Sequence, residues 1–231
     1  FDDAIKYYEM VTDEALIEKI LSSYLQSLYK QSQYQNILKV ARSAKTEKPE
    51  QLQEKNFYIA ESLLRSQLNQ ASKNLDLITE ASNLYTKLLG SSYDLAALEG
   101  LAMCSKILQD NEKAKAYFLQ LADKDTKTSQ RWLYFAASSV HQSNPKSSLE
   151  ILNSLLTQKG PFTKQALFDK ALILFSLDQY SELNELANLK KEELELARWG
   201  TFQYLLGRSF YFQKSYSRAQ VHLDRKSTRL N

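Results

Sequence analysis

Residues 203–223 read QYLLGRSFYFQKSYSRAQVHL. Leu206, Gly207 and Phe210 open a first apolar stripe at helical spacing, and Tyr216, Ala219 and Leu223 carry a second. The stretch predicts two helices, with Gly207 small enough to let the second approach to about 8–10 Å between axes. Its pattern recurs upstream. Ala4, Ile37, Ala81, Ala114, Ser148, Leu183 and Ala219 form a series of anchors spaced by 33, 44, 33, 34, 35 and 36 residues. Four residues beyond each stands a ring or a smaller apolar group: Tyr8, Ala41, Tyr85, Phe118, Leu152, Ala187 and Leu223. A period near 34 predicts a stack of two-helix units, none able to bury its apolar face alone.

Composition agrees. The chain has 231 residues, 43% apolar and 25% charged, with five Gly and three Pro. So few breakers leave too few turns for an all-β fold and favour long helices. Apolar runs such as Ala171 to Phe175 are far below the ~18 residues that span a bilayer. One cysteine, Cys104, permits no intrachain disulfide and fits a reducing compartment. Phe1 lies inside a unit, three residues before Ala4, so the natural start is expected to lie upstream. Residues 225–231 resemble a translated sequencing adapter of the kind found in assembled metagenomes, and are expected to be a non-native tail on an array covering 1–224. Removing Arg225, Lys226 and Arg229 from the 30 basic residues leaves 27, equal to the 27 acids. The net charge of the remainder is zero, and no nucleic-acid partner is expected.

The first helices share one frame: Leu21-x2-Tyr24-Leu25, Leu98-x2-Leu101-Ala102, Trp132-x2-Phe135-Ala136, Leu167-x2-Lys170-Ala171 and Gln203-x2-Leu206-Gly207. With the anchors, this resembles the tetratricopeptide repeat, W-x2-L-G-x2-Y…A-x3-F…P, over nearly all of residues 1–224. Phe1, Tyr34, Tyr180 and Tyr216 fall three residues before an anchor, where that family often has an aromatic. Ile37 and Leu183 depart from its small anchor, Lys170 from its apolar position, and only Pro49 holds the closing proline in place. The resemblance implies an all-α, right-handed superhelical solenoid of degenerate helix-turn-helix repeats. Local signals mark boundaries: Asn144-Pro145 and Asp110 as helix starts, and Gly160-Pro161 and Gly90 with Ser91-Ser92 as points that end one helix and open the next. The spacing of 44 predicts a longer loop or extended helix ends around Arg65 to Asn74.

No residues assemble a catalytic, metal or cofactor site. His141, His222 and Cys104 are too few for zinc, and Cys104 beside Ala102 and Met103 reads as core. His141 reads as a helix-end residue. Phosphate-binding glycine loops and a nucleophile elbow are absent. The run Lys190-Lys191-Glu192-Glu193-Leu194-Glu195 reads as a solvated helix face, not an acid–base pair.

In the family it resembles, first helices line a concave groove where ligands dock. Mapped by frame, the N-terminal unit presents Ser22, Gln26, Tyr29 and Lys30, while the last units present Phe168, Phe175, Tyr204, Arg208, Tyr211 and Phe212. Aromatics and Arg are the types that anchor interfaces. Those six residues are expected to bind a hydrophobic peptide or helix. The competing reading has the rings packing between repeats, or on a further repeat. The expected function is protein–protein binding as an adaptor, with no enzymatic activity and no small-molecule substrate. The alternatives are the recruiting arm of a larger enzyme, or an envelope-assembly protein; the compartment, cytoplasmic or periplasmic, stays open.

Overall fold

A computed structural model describes residues 2–11, 14–46, 48–190 and 199–227. The described residues form thirteen helices and no strand. The chain divides into two compact units, residues 1–125 and 126–231. The first holds α1 (Asp2–Glu9), α2 (Glu14–Lys30), α3 (Tyr34–Ser43), α4 (Pro49–Leu68), α5 (Leu75–Thr86), α6 (Asp94–Ile107) and α7 (Asn111–Lys124). The second holds α8 (Ser129–Val140), α9 (Pro145–Leu156), α10 (Thr163–Ser176), α11 (Tyr180–Leu189), α12 (Trp199–Phe212) and α13 (Tyr216–Ser227).

Within each unit, every helix packs on the next. Alternate helices also meet: α2 with α4 and α4 with α6 in the first unit, α10 with α12 in the second. These are the first helices of their pairs, called inner below because they touch one another, and the second helices are called outer. The anchors fall on the outer helices, and they explain why each pair closes. Ile37, Ala81, Ala114 and Leu183 are fully buried, Ser148 is 1% exposed and Ala219 3%. Tyr85, Phe118 and Leu152, one turn later, are equally buried. The polar anchor Ser148 is satisfied by donating its hydroxyl to the Ala137 carbonyl at 2.9 Å, across the α8–α9 interface. At Gly207, an added Cβ would meet Leu223 Cγ at 2.6 Å and the Ala219 carbonyl at 3.3 Å, so the glycine sets the α12–α13 approach. Gly100 does the same for α5 and α6: a methyl there would overlap the buried Tyr85 ring.

Four of the six described turns within pairs follow a rule that glycine counting does not reveal. Ser32, Gln109, Asp178 and Lys214 all have left-handed backbone, at φ 54, 61, 57 and 61°. Each stands five residues before an anchor. In each, the next amide donates five residues back, as Gln33 N–H does to the Leu28 carbonyl at 2.9 Å and Asp110 N–H to Ser105 at 2.9 Å. This is the Schellman closure of a helix C-terminus, made here by residues with a Cβ. A three-residue connection then starts the outer helix.

The sequence expectations meet the structure unevenly. Asn144 and Asp110 cap α9 and α7, accepting from the amides of Ser147 and Lys113 at 3.1 Å each. Pro161 does not open a helix: α10 begins at Thr163, and Pro161 lies in the turn before it. The long spacing is absorbed by α4, which runs 20 residues, and by a connection over 69–74 without left-handed backbone. That connection is held by Lys73, whose ammonium caps the Leu68 and Gln70 carbonyls, and by Asn74, which caps α5. Cys104 is fully buried, as expected, and burial pushes its thiol up to about 12. His141 is the residue that closes α8. Lys170, on α10, is half-buried, and desolvation lowers its ammonium's pKa. Lys191 to Glu195 and the tail beyond Ser227 lie outside the described residues, as does the side chain of the first anchor, Ala4.

Candidate functional site

The six residues singled out for binding all belong to the second unit, and five of them share a surface. Phe168 does not. It is 4% exposed and packs in the core with Leu183, Leu186, Phe202 and Leu206, because α10 is covered on that side by both α11 and α12. Phe175 is half-buried and bridges core and surface.

Most of the remaining rings gather where inner helices turn into outer ones. Phe175 lies in the last turn of α10, and Tyr211 and Phe212 end α12. Two residues outside the expected set complete the cluster: Tyr180 starts α11 and Tyr216 starts α13. Both had been visible as the aromatics three residues before an anchor, yet only the folded turn brings them to Phe212 and Tyr211. Phe212 stacks on Tyr180 with centroids 5.4 Å apart and an interplanar angle of 16°. Phe175 meets Tyr180 edge-on at 5.7 Å and Phe212 at 6.4 Å. Tyr211 meets Phe212 at 6.0 Å and Tyr216 at 5.6 Å, both edge-on. These are favourable aromatic geometries, worth about 0.5–1.5 kcal/mol per pair beyond burial. Even so, Tyr211, Phe212 and Tyr216 remain 54%, 45% and 60% exposed.

Arg208 lies over this surface. Its guanidinium is 4.9 Å from the Phe212 centroid and 5.7 Å from that of Tyr204, and it donates to the Tyr204 hydroxyl at 2.9 Å. Tyr180 donates its hydroxyl to the Asp178 carboxylate at 2.5 Å, and that bond raises the phenol's pKa. The site therefore offers rings and a delocalised cation, with no nucleophile–base pair.

A second polar constellation, in the first unit, escaped the sequence reading. Glu61, on α4, is 8% exposed. Its carboxylate accepts from the Tyr29 hydroxyl of α2 at 2.6 Å, from Arg65 Nε on its own helix at 2.5 Å and from the Tyr85 hydroxyl of α5 at 2.7 Å. Burial, together with this carboxylate, raises both phenols far above the ordinary tyrosine range. Three donors on a buried carboxylate make it a tie among α2, α4 and α5. Its three donors hold Glu61 as a fixed acceptor. Among the described residues, no cluster of His, Cys, Asp and Glu is suited to a metal ion, and no helix is long and apolar enough to cross a membrane.

Comparison with family models gives no match, and comparison with curated proteins gives none either.

Proposed function

We propose that this chain is a protein-interaction module built from degenerate repeats of the tetratricopeptide kind, with the right-handed winding of that family within each unit. It docks a peptide or helix of a partner protein on the turn-edge surface formed by Phe175, Tyr180, Tyr204, Arg208, Tyr211, Phe212 and Tyr216. One observation carries the reading: three contiguous large rings stay about half exposed beside an arginine. A surface rich in Tyr, Phe and Arg is the composition of interface hot spots. The periodic anchors, the inner-helix contacts and the repeated turn geometry support the repeat assignment. The role is that of an adaptor, with no chemical step.

The test uses a phage-displayed random dodecapeptide library panned against the whole immobilised chain. Selected peptides are expected to lose at least tenfold in affinity for the variant carrying Tyr211→Ala and Phe212→Ala, at unchanged helical circular dichroism. Binding that survives both substitutions refutes the site.

A further inference from the structure

The two units contain related constellations built around the same turn. Tyr29 and Phe175 each stand eight residues before an anchor, Ile37 and Leu183, in the last turn of an inner helix. Tyr34 and Tyr180 each begin the outer helix that follows. The two rings meet edge-on in both places, at 6.3 Å and 64° in the first unit and 5.7 Å and 60° in the second. In both, the next inner helix lays a guanidinium on this aromatic corner. Arg65 sits 5.5 Å from the Tyr29 centroid, and Arg208 sits 4.9 Å from that of Phe212, which stacks on Tyr180.

A decisive difference lies four residues earlier on that helix. Before Arg65 comes Glu61, which receives its Nε at 2.5 Å, whereas before Arg208 comes Tyr204, a neutral acceptor at 2.9 Å. Among the described residues, no carboxylate lies within ion-pair distance of Arg208. The acid in the adjacent turn, Asp178, is engaged by Tyr180. Lys214 and Arg218 add two exposed cations on the turn and helix that follow. A guanidinium has five donors in a planar fork suited to a carboxylate. Half-buried among rings, it gains more from such a partner than it would in open water.

We propose that this surface recognises an acidic–apolar peptide, in which an Asp or Glu side chain pairs with Arg208 while a neighbouring Leu, Ile or Phe covers Tyr211, Phe212 and Tyr216. The partner supplies in the second unit the carboxylate that Glu61 supplies internally in the first. This rests on the docking reading above and specifies its ligand chemistry.

The experiment uses the same library and the whole chain, followed by fluorescence titration of one selected peptide and of its counterpart with Asn and Gln in place of Asp and Glu. Binders are expected to be enriched in acids beside Leu, Ile or Phe. The amide counterpart is expected to bind about tenfold or more weakly, as a lost charge-assisted hydrogen bond implies. Arg208→Met, which keeps the aliphatic stem over the rings, should bind both peptides alike, and Arg208→Lys should keep part of the preference; circular dichroism checks that both variants fold. Binders without acid enrichment, or an undiminished acid preference in Arg208→Met, overturn this inference and leave the docking reading standing. A library that gives no binder sensitive to Tyr211→Ala and Phe212→Ala overturns both.

Discussion

The Glu61 hub permits a quantitative test of how the first unit is held together. Tyr85 is fully buried and its hydroxyl has the Glu61 carboxylate as acceptor at 2.7 Å. Tyr85→Phe removes one hydrogen bond to a charged group, a loss of about 1.5–3 kcal/mol. Glu61→Leu strands the buried Tyr85 hydroxyl, while Tyr29 and Arg65, only part-buried, can turn to water; about 2–4 kcal/mol follows. Combining the two leaves an apolar pair with no stranded donor. The double variant should therefore be no less stable than Glu61→Leu alone, with a coupling of about 1.5–3 kcal/mol. A melting curve averages over both units, so a probe confined to the first is needed. Cys104 provides it, being fully buried in that unit, with a thiol that burial pushes up to about 12. Its reaction with a thiol reagent at neutral to mildly alkaline pH reports transient opening. Each 1.4 kcal/mol is about a factor of ten in that rate when closing is fast. Tyr85→Phe should accelerate labelling about tenfold or more, and Glu61→Leu still further. The double variant should match or fall below Glu61→Leu. If the two effects instead add to within about 0.5 kcal/mol, the hydroxyl and carboxylate are not coupled and the hub is not a tie.

Two further outcomes follow from local geometry. Gln109→Gly should raise stability by about 0.5–1 kcal/mol, since the side chain pays the left-handed penalty at φ 61° and only part of the gain is offset by unfolded-state entropy. Gln109→Ala, which retains a Cβ, should not; equal melting shifts for the two would show that the turn is unstrained. Asp94 is the second case: the bond from Lys124 and then the Gly90 amide hold its pKa below the ordinary 3.8. A depressed carboxylate stabilises the fold above that value, and the contribution disappears as pH falls through the folded-state pKa. Asp94→Asn should therefore melt below the parent at pH 7, with the difference closing as pH falls below the ordinary carboxylate range. A gap that is constant with pH would remove the ion pair from the explanation.

What the sequence disclosed was periodic burial. A residue that must touch the paired helix on every turn of the array repeats by spacing, and all six anchors with described side chains are buried. The turn strain was hidden because Ser32, Gln109, Asp178 and Lys214 stand where glycine would have announced it. The Glu61 hub was hidden because its donors lie 32, 4 and 24 residues away, with no shared period. Phe168 was misplaced for a related reason. The frame gives a position on its own helix, but burial at that position depends on how closely α11 and α12 cover it.

The two constellations also explain how one architecture yields both a closed structural joint and an open surface. The turn and the two corner rings hold the same positions before the anchor in each unit, and the next inner helix brings a guanidinium to each; the residue four before the arginine sets whether a carboxylate on its own helix pairs with the cation. Tyr204→Glu should therefore convert the second unit to the arrangement of the first. A carboxylate one turn before Arg208 would pair as Glu61 does with Arg65 at 2.5 Å, worth about 0.2–0.5 kcal/mol on an exposed helix and more beside the rings. Acidic peptides should then lose their advantage and bind about as weakly as their amide counterparts, while apolar contact with Tyr211 and Phe212 persists. Titration of the same two peptides reads this directly. If Tyr204→Glu still prefers the acidic peptide by tenfold, Arg208 is not the group that recognises acid, and Lys214 and Arg218 take its place in the explanation.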